Sequence, residues 1–455
     1  MIAPLHRQTI YELSAALGRR DLSAQTVTQT LLDRASTLRR LNAFIELWPE
    51  RALTRAERLD KEGPRNDRPL WGVPLAHKDM FARPDRQPGC GVASEFTEAR
   101  LPPSPVLAEL DRAGAIDLGP LNLAEFALGA TGTNAVFGNV ANPWDVARCT
   151  GASSSGSAAA VAAGLAFGSL GTDTGASVRL PASFCGVVGL MPTAGALDAT
   201  GCFPLAWSLD AIGVLARTVA DCALLFDVAR GGEVIPSATS SSRLTIGLPD
   251  RYYTDGLDAE VASAWADAVR ALEARGHKVV DVPVIEREEM RSLHRILMRT
   301  EAAAVHHRLL RQRPGDYSLA ARKFITGGEG IFAVDYVNAM RARGMMLRRA
   351  LETTYAKIDV LLTPTVAGLP ARYDEIADPS RPDVWRSVTR LAQFTQPASY
   401  LGLPAVSVPF SLSSGGLPIG MQFIAPPGAE RRLFSASLGL EAHWKGLNVW
   451  PPFAA

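Results

Sequence analysis

Hydrophobic positions along this chain follow two rhythms. Behind Ser23, the residues Val27, Leu31, Ala35 and Leu38 recur at three- and four-residue steps, which predicts a helix capped by that serine and ending near Asn42. The same rhythm predicts a helix over residues 105–113, another running through Ala229, and one carrying Val261, Ala264, Trp265, Ala268, Val269 and Leu272 that Gly276 ends. Short apolar runs bounded by Gly, Pro or polar residues predict buried strands at 75–80, 115–118, 167–170, 244–248, 278–282, 359–364, 405–409 and 417–424. Residues 1–65 read as helices on the outside of a core, and residues 285–356 as mostly helical. Alternation of strand and helix makes this an α/β chain. No repeat, charge block or low-complexity segment marks a boundary, so one large domain is expected despite the length.

Composition narrows the function more than the fold. With 455 residues, 47% hydrophobic and 20% charged, the chain can build a large core, and disordered or collagen-like classes drop out. Its 47 Lys and Arg balance 46 Asp and Glu, a net charge of +1, so there is no excess field to hold nucleic acid or an anionic membrane. A small molecule fits better as the partner. The five cysteines are odd in number and lack C-x-x-C spacing, which points to reduced thiols in a cytoplasmic protein rather than disulfides or zinc. The opening residues show no export-signal pattern, and no run reaches the ~20 apolar residues of a membrane span.

The chemistry concentrates in residues 149–193. Here two Gly/Ser clusters flank the small-residue run 158–163, which reads as a packed helix, and the strand 167–170. Both clusters therefore fall at the ends of buried elements, where backbone N–H groups can be aimed at a ligand. A serine becomes nucleophilic only when a base takes its proton. None of the seven histidines sits in a setting that marks it, and there is no G-x-S-x-G elbow. A lysine acting on serines remains, and Lys78 lies in the apolar run 75–80. To serve near neutral pH it must fall from about 10.4 to ~7–8, roughly 4 kcal/mol against its charged form, which burial can supply. Asp79 beside it could instead keep it charged. Along a strand His77 and Lys78 point to opposite faces, so only one of them can serve one site.

At this point the sequence resembles the amidase signature family. The family's G-G-S-S-G-G-S, T-D-x-G-G-S-x-R-x-P and F-C-G-x-x-G-L-K-P-T patterns are matched by residues 151–157, 172–181 and 184–193, its K-D motif by Lys78 and Asp79, and weaker signatures by 396–405 and 416–422. The resemblance implies a central mixed, twisted β-sheet covered by helices on both faces, with a catalytic core in 70–230 and a substrate-side helical region in 285–356. It also implies a Ser-cisSer-Lys site: Ser177 as acyl nucleophile, Ser153 as bridging serine on a cis peptide, Lys78 as base. Backbone N–H groups of Thr174, Gly175, Ala176 and Ser177 would form the oxyanion hole. Ser154 would be a hydrogen-bond partner within the site, and Asp173 and Arg179 would fix the loop. No metal or organic cofactor is implied.

Departures from the family pattern are Ala152 and Ser155 for glycines, Ala176 for the glycine before the nucleophile, Met191 for a lysine, His77 before Lys78, and a poor match over 86–94. If position 176 needs a positive φ, the methyl strains the loop; otherwise it narrows the pocket. Trp207, Phe126, Phe137 and Trp144 are candidate pocket-lining aromatics, with core packing as the alternative for each. His77 reads as structural, with substrate binding open. The expected activity is hydrolysis of a small carboxamide. Alternatives are a urea-derived carbamoyl amide of the allophanate or carboxybiuret type, the A subunit of a glutamyl-tRNA(Gln) amidotransferase, and a non-catalytic binding protein that keeps the fold. The oligomeric state stays open, a homodimer among the options.

Overall fold

Most of the predicted apolar runs pair into one eight-stranded sheet. The computed structural model describes residues 4–454 except 66, 94–99, 235–242, 250, 285–286, 378–383, 385–387, 389 and 445–448. Ser94, and positions 285–286 at the start of the expected helical region, thus lie outside the described residues. Ten strands are described: β1 (Pro74–Lys78), β2 (Ile116–Leu121), β3 (Gly168–Asp173), β4 (Val188–Met191), β5 (Ala211–Ala216), β6 (Thr245–Pro249), β7 (Lys278–Val282), β8 (Val360–Pro364), β9 (Ala405–Leu412) and β10 (Pro418–Ile424). The large sheet runs β3-β5-β4-β9-β10-β8-β6-β7, antiparallel from β3 to β8 and parallel through β8, β6 and β7. It is the expected mixed α/β sheet. β1 and β2 form a separate parallel pair.

Eleven helices precede β8: α1 (Ile10–Gly18), α2 (Ala24–Thr37), α3 (Pro49–Glu62), α4 (Pro105–Arg112), α5 (Ser155–Ala162), α6 (Arg179–Cys185), α7 (Val219–Ala229), α8 (Ala259–Ala274), α9 (Arg287–Gln312), α10 (Leu319–Glu329) and α11 (Ala333–Glu352). After β8, α12 (Gln396–Leu401) and α13 (Glu430–Glu441) are described. Local chemistry sets their ends. Ser23 accepts the Thr26 N–H at the start of α2, as its sequence predicts, and a 3-10 turn at Arg39–Leu41 carries the chain to Asn42, where φ of 53° stops it. Thr9 and Glu12 form a reciprocal capping box on α1.

Side-chain alternation on β5 separates the two faces of the sheet. Leu215 packs with Ala158, Val161, Val178 and Ala182 of the α5–α6 layer, whereas Val214 joins the larger core that holds Val219, Ala223 and Leu224 of α7. Both α5 and α6 are buried on every side, and α5 is accordingly built from Ala, Ser, Gly and Val rather than from an amphipathic pattern. Gly156 allows the closest approach: a Cβ there would sit 2.4 Å from the Ala43 carbonyl and 2.5 Å from that of Asn122. This contact pins the start of α5 beside the end of β2. A second core, around Met290, Leu297 and Ala302 of α9 with Ile325 and Ala339, lies on the side where the chemistry collects.

Candidate active site

Three chain segments converge at the ends of buried elements: the C-terminus of β1, the N-terminus of α5, and the loop from β3 into α6. β3 is tied to β1 by the Phe167 N–H to the Pro74 carbonyl (3.1 Å) and the Leu170 N–H to His77 Nδ1 (3.0 Å). That second bond turns His77 away from the serines. Its ring faces a separate cavity shared with Arg83 and Asp117, and burial pushes its pKa down to about 4. The strand alternation expected for His77 and Lys78 is therefore present.

Lys78 points to the other side, with no solvent exposure. Its Nζ lies 2.7 Å from Ser153 Oγ and 2.6 Å from Thr172 Oγ1. Asp79 does not hold it: that carboxylate takes a two-pronged contact from Arg86, one arm at 2.9 Å, and the Gly89 N–H at 3.0 Å. Burial lowers the Lys78 pKa to about 8, against the pull of nearby groups including Asp210 and Asp173. The ammonium is thus disfavoured by its surroundings rather than stabilised by an ion pair.

The Ala152–Ser153 peptide is cis. Ser154 occupies the N-cap position of α5 without capping it; its hydroxyl donates to the Thr172 carbonyl at 3.3 Å and accepts the Thr172 N–H at 3.4 Å. Its backbone N–H donates to the Ser177 carbonyl at 3.0 Å, which joins the two serine clusters.

In the loop Thr174–Ser177, every carbonyl accepts a hydrogen bond. Thr174 O takes His294 Nε2 at 2.8 Å, Gly175 O takes Arg179 Nη2 at 3.4 Å, Ala176 O takes the Leu180 N–H at 2.8 Å, and Ser177 O takes the Ser154 N–H. The four N–H groups of the same residues have no acceptor among the described residues, although the next two, of Val178 and Arg179, donate to Asp173 Oδ2 at 3.1 and 3.3 Å. Backbone amides oriented this way form a concavity for negative charge.

The loop is braced from below. Arg179 and Asp173 form a fully buried ion pair at 3.0 Å. Arg179 also donates to the Thr395 carbonyl, to Gln422 Oε1 at 2.8 Å and to Ser399 Oγ at 2.7 Å. Burial opposes the Asp173 charge, yet Arg179 holds its carboxyl below the usual range. The Thr174 hydroxyl donates to Asp210 at 2.6 Å, and Asp210 also takes the Leu205 and Ala206 N–H groups; burial raises it to about 6. His294 donates from Nε2, so this nitrogen carries the proton, and burial lowers its pKa to about 4. It is neutral near pH 7. Sequence reading missed Thr172, Asp210 and His294. Thr172 opens the matched 172–181 motif, whereas Asp210 lies outside the matched motifs and His294 lies 120 residues from its partner.

Ser177, Ala176, Gly175, Thr174 and Ala152 line a cavity of about 400 Å³ together with residues 127–130, Leu205, Phe324, Gln396 and one face of α9. Ala176 does not have a positive φ, so its methyl narrows this cavity without straining the loop. None of the four candidate aromatics is among the lining residues. Trp207 is 55% exposed, Trp144 packs on Trp444, and Phe126 lies in a ring cluster with Tyr317 and His306. The loops that carry Phe126 and Trp207 do reach the cavity, but through residues 127–130 and Leu205 rather than through those rings. Met191 is buried and accepts from Ser399 Oγ through its sulfur at 3.5 Å. All five cysteines are free thiols. Among the described residues no cluster of three or more His, Cys, Asp or Glu could hold a metal ion, and no helix is long and apolar enough to cross a membrane.

An α/β enzyme with a buried lysine on a serine and a loop of open amides is the class that fold and site define. The Amidase family model matches residues 26–434, and the chain belongs to that family, enzymes that act on amide C–N bonds. It is 34% identical to the A subunit of the Chromohalobacter salexigens glutamyl-tRNA(Gln) amidotransferase over 98% of both chains. It is 33% identical to the Geobacter metallireducens counterpart over 95% of this chain and 96% of that one. Among solved structures it is similar to a crystal structure described as an amidase, with a TM-score of 0.87 and 29% identity over 96% of this chain and all of the other. The A subunit of the Thermotoga maritima glutamyl-tRNA(Gln) amidotransferase superposes with a TM-score of 0.80 at 28% identity, covering 98% of this chain and 96% of that one.

Proposed function

We propose that this chain hydrolyses a small carboxamide to a carboxylate and ammonia or an amine through a covalent acyl-enzyme. Neutral Lys78 takes the proton of the Ser153 hydroxyl as Ser153 takes that of Ser177. The Ser177 oxygen bonds to the amide carbon, and the resulting oxyanion lies against the N–H groups of residues 174–177. The C–N bond then breaks as the proton passes from Lys78 through Ser153 to the departing nitrogen. Water repeats the sequence on the ester, releasing the acid and freeing Ser177. Each oxyanion donor is worth about 2.7–4 kcal/mol in such sites.

The observation that carries this reading is the buried Lys78, 2.7 Å from Ser153, without a carboxylate partner among the described residues and drawn down to about 8. The deciding experiment is amide turnover with Ser177→Ala as control, alongside labelling of the wild-type chain by a fluorophosphonate. Loss of turnover and of the label in the variant is expected; full turnover without the Ser177 hydroxyl would sink the mechanism.

A second reading, the glutamine-hydrolysing component of a glutamyl-tRNA(Gln) amidotransferase, is favoured by the end-to-end relatives of that name. Co-purification with partner subunits, on which turnover depends, would choose it over the free-standing enzyme.

A further inference from the structure

On the side of β1 opposite Lys78, a cavity of about 590 Å³ opens between β1, β2, α3 and α4, a size in the range of small-molecule sites. His77, 3% exposed, lies at its floor. Because Nδ1 accepts the Leu170 N–H, the neutral ring carries its proton on Nε2, which is turned to the cavity and has no acceptor among the described residues. It is a buried donor available to the acceptor of a ligand. The acids at this cavity leave it so: Asp117 is taken up by Arg83 Nε at 2.8 Å and by the Gly119 N–H at 3.1 Å, and Asp111 stands exposed at the rim.

The rest of the rim is cationic. α3 presents Arg51, Arg55 and Arg58 along one face, joined by Arg68. Arg51 pairs with Asp85, but Arg58 and Arg68 share the single carboxylate of Glu62, and Arg55 donates to a neutral group, the Asp111 carbonyl at 2.8 Å, with no carboxylate partner among the described residues. Between rim and floor, Ala82, Leu107 and Ala115 supply an apolar wall.

We infer that this second cavity binds a small oxygen-rich organic anion, its carboxylate or phosphate group on Arg55 at the rim, an acceptor oxygen on the Nε2–H of His77 at the floor, and its carbon body against the apolar wall. A guanidinium fork suits either anion. The site does not depend on the hydrolase reading, although the ring that closes its floor also holds β3, the strand of Thr172.

The test titrates the full chain calorimetrically with glucose 6-phosphate, with citrate and with neutral glucose. Binding of either anion without binding of glucose is expected, and the stronger of the two tells phosphate from carboxylate. Arg55→Gln, a change at a half-buried rim position, should weaken that binding about tenfold or more. His77→Leu, which fills similar space without a donor, should weaken it as well, with partial recovery in His77→Gln, and thermal melting of each variant reports that it is folded. Arg295→Ala lies in the Ser177 cavity, which α9 lines with Arg291, Arg295 and Arg299, and should leave the affinity unchanged. No binding of either anion, equal binding of glucose, an affinity unchanged in Arg55→Gln or in His77→Leu, or a loss confined to Arg295→Ala would overturn the inference.

Discussion

Lys78 Nζ sits 2.7 Å from Ser153 Oγ, at a position where burial has stripped the lysine of solvent and no carboxylate of the described residues has replaced it. Its pKa of about 8 sets the pH dependence. The neutral amine is the working form, so kcat/KM should rise with pH and level off above about 8. Asp210 raises the Lys78 pKa, and Asp210→Asn should therefore move the acid limb to lower pH. A steady-state pH profile of both chains checks this, and an acid limb that stays in place would remove Lys78 from the role of base.

His294 supports the loop without titrating in the working range. Replacing it with Ala removes the bond to the Thr174 carbonyl and should cost about 1–3 kcal/mol of stability. Because that carbonyl helps aim the neighbouring N–H groups, kcat should fall more than KM changes, with partial recovery in His294→Gln, which keeps a donor. Urea unfolding together with steady-state kinetics separates the two effects. A variant that melts early but turns over normally would reduce His294 to a packing residue.

Arg179→Met leaves the Asp173 carboxylate buried and unpaired, which should cost about 3–5 kcal/mol, measurable by denaturant unfolding. The sign with pH follows from the depressed Asp173 pKa. The stability it contributes is complete above the ordinary carboxylate value of about 3.9 and is lost as pH falls through the lower, folded value. The difference between wild type and variant should therefore be largest near neutrality and shrink in acid. A constant difference down to the lowest pH would show that the charge of Asp173 is not the cause.

Ala176→Gly tests whether the family glycine is needed at this position. The native φ is not positive, so glycine relieves no strain, and its added freedom should cost about 0.4–1 kcal/mol. The widened wall should raise kcat/KM for branched acyl groups relative to linear ones. Stabilisation by glycine in thermal melting would contradict the geometry described.

How far the chain was legible varied with the range of the interaction involved. Helix α2, eight of the ten described strands and the α/β class followed from local periodicity and from Ser23, because caps and strand runs are decided by near neighbours, whereas β4 and β5 are not among the predicted runs. Lys78 stood out because a lysine inside an apolar strand is anomalous by itself. His294, Asp210 and the α9 arginines gave no such signal: a histidine or an arginine on a long helix is ordinary until the fold carries it to a particular carbonyl or cavity. Trp207, attractive as a pocket aromatic, is more than half exposed. Residue type alone could not show which wall of the cavity the chain would use. The segment 70–230 holds Lys78, Ser153 and Ser177, but their loop is braced by residues 294, 395, 399 and 422.

Arg179 clasps Asp173, Thr395, Ser399 and Gln422 at once, and this fixes when competence can arise. A chain growing from its N-terminus would hold the lysine and both serines long before the last of these partners existed. Until β10 docks, the guanidinium has only part of its acceptors and the amide nest above it nothing to set its shape. Reactivity would switch on as a closing step of assembly, so split or prematurely terminated forms of this protein would be inert even with every reacting group in hand.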